Sequence, residues 1–260
     1  MDFTQEKYRR LLGAFREAGY AGLPFVRYLQ GGLPERFVLL RHDVDLRPGR
    51  SLAIARIEQE EGMWASYYFR AVPESWDDSV IREIAAMGHE VGYHYESLTT
   101  CKGNREAALR DFERNLTRLR ALVPVQTVCM HGSPRSSWDS RTLWAQGGAD
   151  YRDYGLLGEP YFDIDFSEVF YLTDTGRRWD GFRVSRRDRI ERYQDEWQRR
   201  GLVYHGTDDI LRALEQGTFP PRLMLTTHPQ RWCSGKFPWM KELVLQKAKN
   251  LVKYFLVKYD

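Results

Sequence analysis

Residues 37–45, with the sequence Phe-Val-Leu-Leu-Arg-His-Asp-Val-Asp, decide the fold class. The apolar run at 37–40 predicts a buried β-strand that leads into charged residues, and an amphipathic helix is predicted next over about 50–61. This order of a short apolar run followed by a helical pattern is repeated along the chain. This alternation predicts an α/β architecture built on a parallel sheet, either an open sheet or a barrel.

The other predicted strands also alternate with predicted helices. They cover residues 65–69, 90–94, 127–130, 168–172 and 223–226. A helix that Asp77 or Asp78 can cap is predicted to end at Gly88, and another spans about 104–122 and is ended by Pro124.

Candidate ligand side chains lie where the predicted strands end. They are Asp43, Asp45, His94, His131 and His228. The carboxyl ends of the strands in a parallel barrel converge on one face, where the loops build an active site. An open sheet would gather these residues less easily. We therefore expect a barrel-like fold in a single domain.

Asp43 and Asp45 are two residues apart at a strand end, so both side chains leave the same face. Two carboxylates held together are costly unless a cation or a shared proton relieves their repulsion. A metal ligand beside a general base is one solution, and a turn in which one aspartate caps the next helix is the other.

His89 lies five residues before His94 and therefore on the opposite face of the strand, so we expect His94 to join the carboxylates and His89 to be structural.

The composition limits the class of protein. The chain has 260 residues, 42% hydrophobic and 14% aromatic, which suits a buried core and excludes a mainly disordered chain. A formal charge of +3 does not by itself indicate a nucleic-acid partner, and we expect none. The N-terminus lacks a secretory signal pattern, and the 3 cysteines are too widely spaced for a metal clip. We therefore expect a cytoplasmic protein.

Two motifs resemble those of the polysaccharide deacetylases, the NodB-homology or carbohydrate esterase 4 family. They are His-Asp-Val-Asp at 42–45 and Gly-His-Glu-Val-Gly-Tyr-His at 88–94. The spacing between them and the late His228 also agree, and the resemblance covers about residues 37–229. It implies a distorted (β/α)7 barrel that holds one divalent metal, usually Zn²⁺, and removes an acetyl group from a sugar.

The resemblance also implies roles for residues of this chain. Asp43 would be the general base, and Asp45 and His94 would be metal ligands. His228 would be the acid that protonates the leaving amine. A metal with three protein ligands keeps an open position for water, which suits this division of roles.

The sequence departs from the family pattern at Leu98, where the second metal histidine is expected. We propose that His131 supplies the missing ligand, with Glu96 as the alternative. His131 could instead orient Asp43, the role that an arginine has in the family. A third possibility is that the metal site has been lost.

Substrate-binding and membrane-binding residues are predicted in the later part of the chain. Trp138 could stack on a sugar ring, and Arg177 and Arg178 would suit a phosphate or a uronate; a solvated loop explains these residues equally well. A C-terminal amphipathic helix over 239–259 carries apolar residues at helical spacing and several lysines. Such a helix could contact an anionic membrane or simply pack on the barrel.

These observations divide the chain into an N-terminal helical extension (1–36), a deacetylase-like barrel (37–232) and a C-terminal amphipathic helix (233–260). We expect a metal-dependent deacetylase acting on an amino sugar or acetylated saccharide. Without an export signal, the favoured substrate is a nucleotide- or lipid-linked precursor of a surface polysaccharide such as O-antigen or capsule. The rivals are a catalytically silent barrel that binds glycan or scaffolds a complex, and a metal-dependent hydrolase of another amide.

Overall fold

The computed structural model describes residues 1–133, 136–145, 148–181 and 189–246. These residues form 7 strands, all paired in parallel within one sheet. The strands are β1 (Ala21–Leu23), β2 (Phe37–Val44), β3 (Ser66–Phe69), β4 (Glu90–Tyr95), β5 (Val128–Met130), β6 (Phe170–Thr173) and β7 (Arg222–Thr227).

Helices connect the strands and cover the outside of the sheet. The α-helices are α1 (Gln5–Glu17), α2 (Phe25–Gln30), α3 (Pro48–Glu60), α4 (Asp78–Ala86), α5 (Ser97–Thr100), α6 (Arg105–Arg120), α7 (Thr142–Ala145), α8 (Pro160–Asp163), α9 (Glu191–Arg199) and α10 (Thr207–Glu215). Residues 236–246 form a further helical segment, called helix 236–246 below. Short 3-10 turns cover Tyr151–Tyr154 and Pro229–Arg231.

The sheet curls into a half-barrel with the strand order β5-β4-β3-β2-β7-β6. Strand β2 lies in the middle, and β1 pairs with its first residues, Ala21 opposite Phe37. Parallel pairing brings the carboxyl ends of the strands to one rim. The prediction of an α/β fold of the distorted (β/α) barrel type is confirmed.

The N-terminal segment 1–36 contains α1 and α2, and it also gives β1 to the sheet. At the other end, the predicted helix over 239–259 is helical as far as residue 246, and residues 247–260 lie outside the described residues. Within the described part of the chain, no helix is long and apolar enough to cross a bilayer.

Local signals in the sequence explain where the helices begin and end. The Asp77 side chain accepts hydrogen bonds from the backbone N–H groups of Ser79 and Val80, which caps α4. After α4, Gly88 adopts a φ of +92°, a left-handed conformation that L side chains rarely adopt. These two residues fix where β4, the strand that carries His94, begins.

Side chains along β2 alternate between the interior of the half-barrel and the helical layer. Asp43 points to the interior, and its neighbour His42 points outward to α3. There, Nε2 of His42 donates to the Glu58 carboxylate over 2.6 Å, and the hydroxyls of Tyr8 and Tyr67 each donate to it over 2.5 Å. Glu58 is fully buried, so this network ties α1 and α3 to the sheet directly behind Asp43.

Replacing Glu58 with alanine is expected to lower the free energy of unfolding by about 3–5 kcal/mol, because it leaves His42, Tyr8 and Tyr67 without their shared buried acceptor. Urea or thermal unfolding measures this. Glu60→Ala is the matched control on the same helix, since Glu60 is exposed and pairs with Arg9 at the surface. A change of about 1 kcal/mol or less is expected there. Equal effects of the two substitutions would contradict the structural role of Glu58.

Candidate metal centre and active site

Three predicted ligands converge at the rim of the sheet. Asp45 lies one residue beyond β2, His94 is in β4, and His131 lies one residue beyond β5. Oδ1 of Asp45 is 3.4 Å from Nε2 of His131 and 3.9 Å from Nε2 of His94. One donor atom from each of the three residues lies within 4.8 Å of the others, which is close enough for a single cation to contact all of them.

Hydrogen bonds at Nδ1 fix the orientation of both histidines. Nδ1 of His94 is 2.9 Å from the carbonyl oxygen of Cys129, which can only accept, so Nδ1 carries the proton and Nε2 keeps its lone pair. Nδ1 of His131 is likewise 2.9 Å from the Glu96 carboxylate. Both Nε2 lone pairs therefore face Asp45, in the arrangement that metal-binding histidines commonly have.

Glu96 supports His131 from behind. Its carboxylate also accepts from the Arg70 guanidinium, with Nη2 of Arg70 at 2.7 Å. Burial alone would raise the pKa of Glu96, but its contacts with His131 and Arg70 outweigh burial and lower the pKa to about 2. Glu96 is therefore ionised and can accept the Nδ1 proton of His131 across the neutral pH range.

The unsatisfied carboxylate oxygen of Asp45 fits a cation. Oδ1 of Asp45 is buried without a hydrogen-bond partner, whereas its Oδ2 accepts from the side-chain amide of Gln230 over 3.1 Å. A buried carboxylate oxygen that faces two imidazole lone pairs is unfavourable unless a cation lies between them. Two imidazole nitrogens and one carboxylate oxygen form a donor set that suits Zn²⁺ with one open position.

Asp43 is held by an arginine that the sequence analysis did not single out. Nε and Nη2 of Arg41 each donate to the Asp43 carboxylate over 2.8 Å, and both side chains are buried. Residues two apart on a strand share a face, so the sequence alone could have placed Arg41 beside Asp43. Arg41, from the same strand, thus fixes the orientation of the Asp43 carboxylate.

A second cluster of possible ligands in the described residues combines Asp43, His94 and Cys129. It shares His94 with the first cluster. The bidentate contact with Arg41 already occupies the Asp43 carboxylate. Asp45, with its unsatisfied oxygen, is the better carboxylate ligand, and Asp43 lies next to the cluster, with its Oδ2 3.6 Å from Nε2 of His94.

His228 also lies beside the cluster, with its Nε2 3.9 Å from Oδ2 of Asp45. Its Nδ1 donates to Asp174 over 2.6 Å, and Asp174 also accepts from Trp232 and Arg231. Burial and the nearby Arg231 lower the pKa of His228, but the charge and hydrogen bond of Asp174, with the charge of Asp45, outweigh them and raise the pKa from its ordinary value. Asp174 therefore supports the protonated form of His228, and it is a second residue that sequence reasoning missed.

The predicted substrate residues contact other parts of the protein. Trp138 is 40% exposed, and its indole packs so closely on Gly103 that a side chain at position 103 would clash with it. Arg177 is buried over the rings of Phe3 and Trp239.

Arg178, the third predicted substrate residue, forms a bidentate ion pair with Asp180. The structure thus gives all three predicted substrate residues contacts within the protein. Leu98, where the family motif has a histidine, is buried in the short helix α5.

The known structures that resemble this chain have low sequence identity to it. No protein-family model and no curated protein matches the sequence. Among solved structures, a mutant of a carbohydrate esterase family 4 pseudoenzyme is 15% identical with a TM-score of 0.41 and covers 86% of this chain and 67% of its own. Another mutant of a pseudoenzyme of that family, with restored enzymatic activity, is 14% identical with a TM-score of 0.42; the chain spans 64% of its length, and 84% of this chain is covered.

A family 4 carbohydrate esterase from Bacillus anthracis is 12% identical with a TM-score of 0.42, and the match covers 93% of this chain and 86% of that one. These three structures are of the family whose motifs the sequence resembles. At these identities and TM-scores no residue role is transferred from them, and the assignments above depend on the geometry of this chain.

Proposed function

We propose that the protein is a metal-dependent deacetylase that removes an acetyl group from an amino sugar or an acetylated saccharide. The observation that carries the proposal is the convergence of Asp45, His94 and His131 beside two further groups suited to acid–base chemistry. Asp43 lies 3.6 Å from His94, and His228 lies 3.9 Å from Asp45. Metal-assisted hydrolysis of an amide or ester needs these parts together.

Asp43 and His228 each have one task in the proposed reaction. When bound, a divalent cation supplies positive charge that acidifies water and polarises a carbonyl oxygen. Asp43, fixed by Arg41, accepts the proton of the attacking water. His228, protonated with the support of Asp174, donates a proton to the departing amine or alcohol.

The proposed substrate is a nucleotide- or lipid-linked precursor of a surface polysaccharide, such as O-antigen or capsule, met in the cytoplasm. The test is acetate release by the zinc-loaded protein from nucleotide-linked and oligomeric N-acetylamino sugars, O-acetylated saccharides and non-sugar acetamides. Acetate from a saccharide, lost in Asp43→Asn, would support the proposal. Release from only the non-sugar amides would favour a different amide hydrolase.

A second candidate function is a catalytically silent barrel that binds glycan or scaffolds a complex. Leu98 favours it, because a buried leucine replaces a residue that binds metal in the family that the motifs resemble. A metal-loaded protein that releases no acetate from any of these substrates but binds a glycan would support this candidate.

Replacing Asp174 with asparagine is expected to move the alkaline limb of the activity profile to lower pH. The asparagine keeps the shape but removes the negative charge that raises the pKa of His228, so His228 loses its proton earlier as the pH rises. A nearby opposite charge favours the charged form of a titratable group, so its removal should displace the limb toward lower pH. The pH dependence of kcat measures it, and an unchanged alkaline limb would contradict His228 as the acid.

A further inference from the structure

Helix 236–246 buries two polar residues and exposes several apolar ones. Glu242 and Gln246 are 9% and 5% exposed, whereas Phe237, Met240 and Val244 are 77%, 56% and 63% exposed. A helix that only packs on a globular protein shows the opposite pattern. The exposed apolar stripe therefore needs an explanation other than burial in the fold.

Polar contacts on the buried side hold the helix in this orientation. The indole N–H of Trp239 donates to the backbone carbonyl of Asp2 over 2.5 Å, and the Arg177 guanidinium lies 5.4 Å from the centre of its ring. The Glu242 carboxylate is 3.4 Å from the guanidinium of Arg47. Rotation of the helix to hide the stripe would break all of these contacts, so the apolar face is held outward.

Lysines border the exposed stripe on both sides. At the rotation of an α-helix, Phe237, Met240 and Val244 fall within an arc of about 60°, with Lys236 and Lys241 each about 40° beyond its edges. Both lysines are exposed, and the acidic residue of the described segment, Glu242, is on the buried side. Interfacial helices that bind anionic lipids have this arrangement.

We propose that helix 236–246 docks on an anionic lipid bilayer, with Phe237, Met240 and Val244 entering the boundary between headgroups and acyl chains. Lys236 and Lys241 would contact the lipid phosphates. Charge favours this occupant over a second copy of the chain, because two copies facing each other through this stripe would bring their lysines together.

The stripe lies on the helix that follows the active-site rim. Arg47, which holds Glu242, is two residues beyond Asp45, and Gln230, which donates to Asp45, lies in the turn that leads to the helix. Docking would hold this rim near the bilayer, where a lipid-linked saccharide would be met. That consequence rests on the proposed function, whereas the docking itself does not.

Co-sedimentation of the full chain with vesicles tests the proposal. Vesicles of phosphatidylcholine with phosphatidylglycerol are compared with vesicles of phosphatidylcholine alone, for the unsubstituted chain and for the triple variant Phe237→Ser, Met240→Ser, Val244→Ser. We expect binding to the anionic vesicles, falling about tenfold or more in the triple variant. The double variant Lys236→Gln, Lys241→Gln should bind more weakly and lose the preference for anionic lipid.

Leu157→Ser is the matched control, since Leu157 is an exposed apolar residue on a different part of the surface, 48% exposed. It should bind vesicles as the unsubstituted chain does. Absence of binding to anionic vesicles, or binding that survives the triple substitution, would overturn the proposal. Self-association that the triple variant abolishes, without vesicle binding, would assign the stripe to a second copy instead. Acetate release can be measured on the same variants, so failure of docking is distinguishable from failure of the proposed function.

Discussion

The His131→Ala variant is expected to lose bound zinc and, with it, hydrolytic activity. His131 provides one of the two imidazole nitrogens that face the unsatisfied Oδ1 of Asp45, and alanine leaves only Asp45 and His94. Removing a mere supporting partner of a metal ligand weakens binding by about 10–100-fold, so the loss of a ligand should exceed that range. Equilibrium dialysis against a zinc buffer, followed by mass spectrometry of the metal content, measures the change.

Two variants calibrate this result. Glu96→Gln keeps His131 but weakens its support, and it should reduce zinc affinity by about 10–100-fold without abolishing binding. His205→Ala should leave zinc binding unchanged, because the His205 side chain is 72% exposed and pairs with Asp180 outside the cluster. If His131→Ala retained stoichiometric zinc while Glu96→Gln lost it, Glu96 would be the third ligand instead.

The Asp43→Asn variant is expected to keep its zinc and lose most of its turnover. Asparagine has nearly the shape of aspartate but cannot accept the proton of the attacking water. A positioned general base contributes about 10²–10⁴-fold to a rate, and kcat should fall within that range. Because Asp43 lies beside the ligand cluster and its carboxylate is already held by Arg41, metal content should not change. Acetate release from the best substrate, with zinc content measured in parallel, tests this.

The substitution also leaves the buried Arg41 without a charged partner, so stability has to be measured separately from activity. Asp111→Asn is the matched control: Asp111 is a buried aspartate that pairs with Arg114 on α6, away from the rim. Thermal unfolding of both variants separates a loss of stability from a loss of chemistry. Turnover of Asp43→Asn close to that of the unsubstituted chain would exclude Asp43 as the base.

Much of the fold could be predicted because local patterns in the sequence, such as short apolar runs, indicate its strands. The apolar run at 37–40 lies within β2, and the strand predicted at 223–226 lies within β7. Short β1 was not predicted, because its Ala-Gly-Leu sequence has little strand character and is held by pairing with β2. Such pairing depends on tertiary structure, which a local pattern does not contain.

The site could be predicted only in part, for a related reason. Strand ends are visible in the sequence, and the structure brings Asp45, His94 and His131 together at one rim; their roles stay predictions. Asp174 was missed because its partner His228 lies 54 residues away in the chain. The sequence does not show that the arginines at 177 and 178 have partners. In the fold, Arg177 lies over the distant Trp239, and Arg178 pairs with Asp180, only two residues along the chain.

The metal content of the purified protein shows whether Asp45, His94 and His131 hold a cation. The protein is purified without added metal and without a polyhistidine tag, alongside Asp45→Ala, and both are analysed by mass spectrometry. We expect near-stoichiometric zinc or a similar divalent cation in the unsubstituted protein and its loss in the variant. If the protein contains no metal, even after incubation with zinc, these residues do not form a metal site.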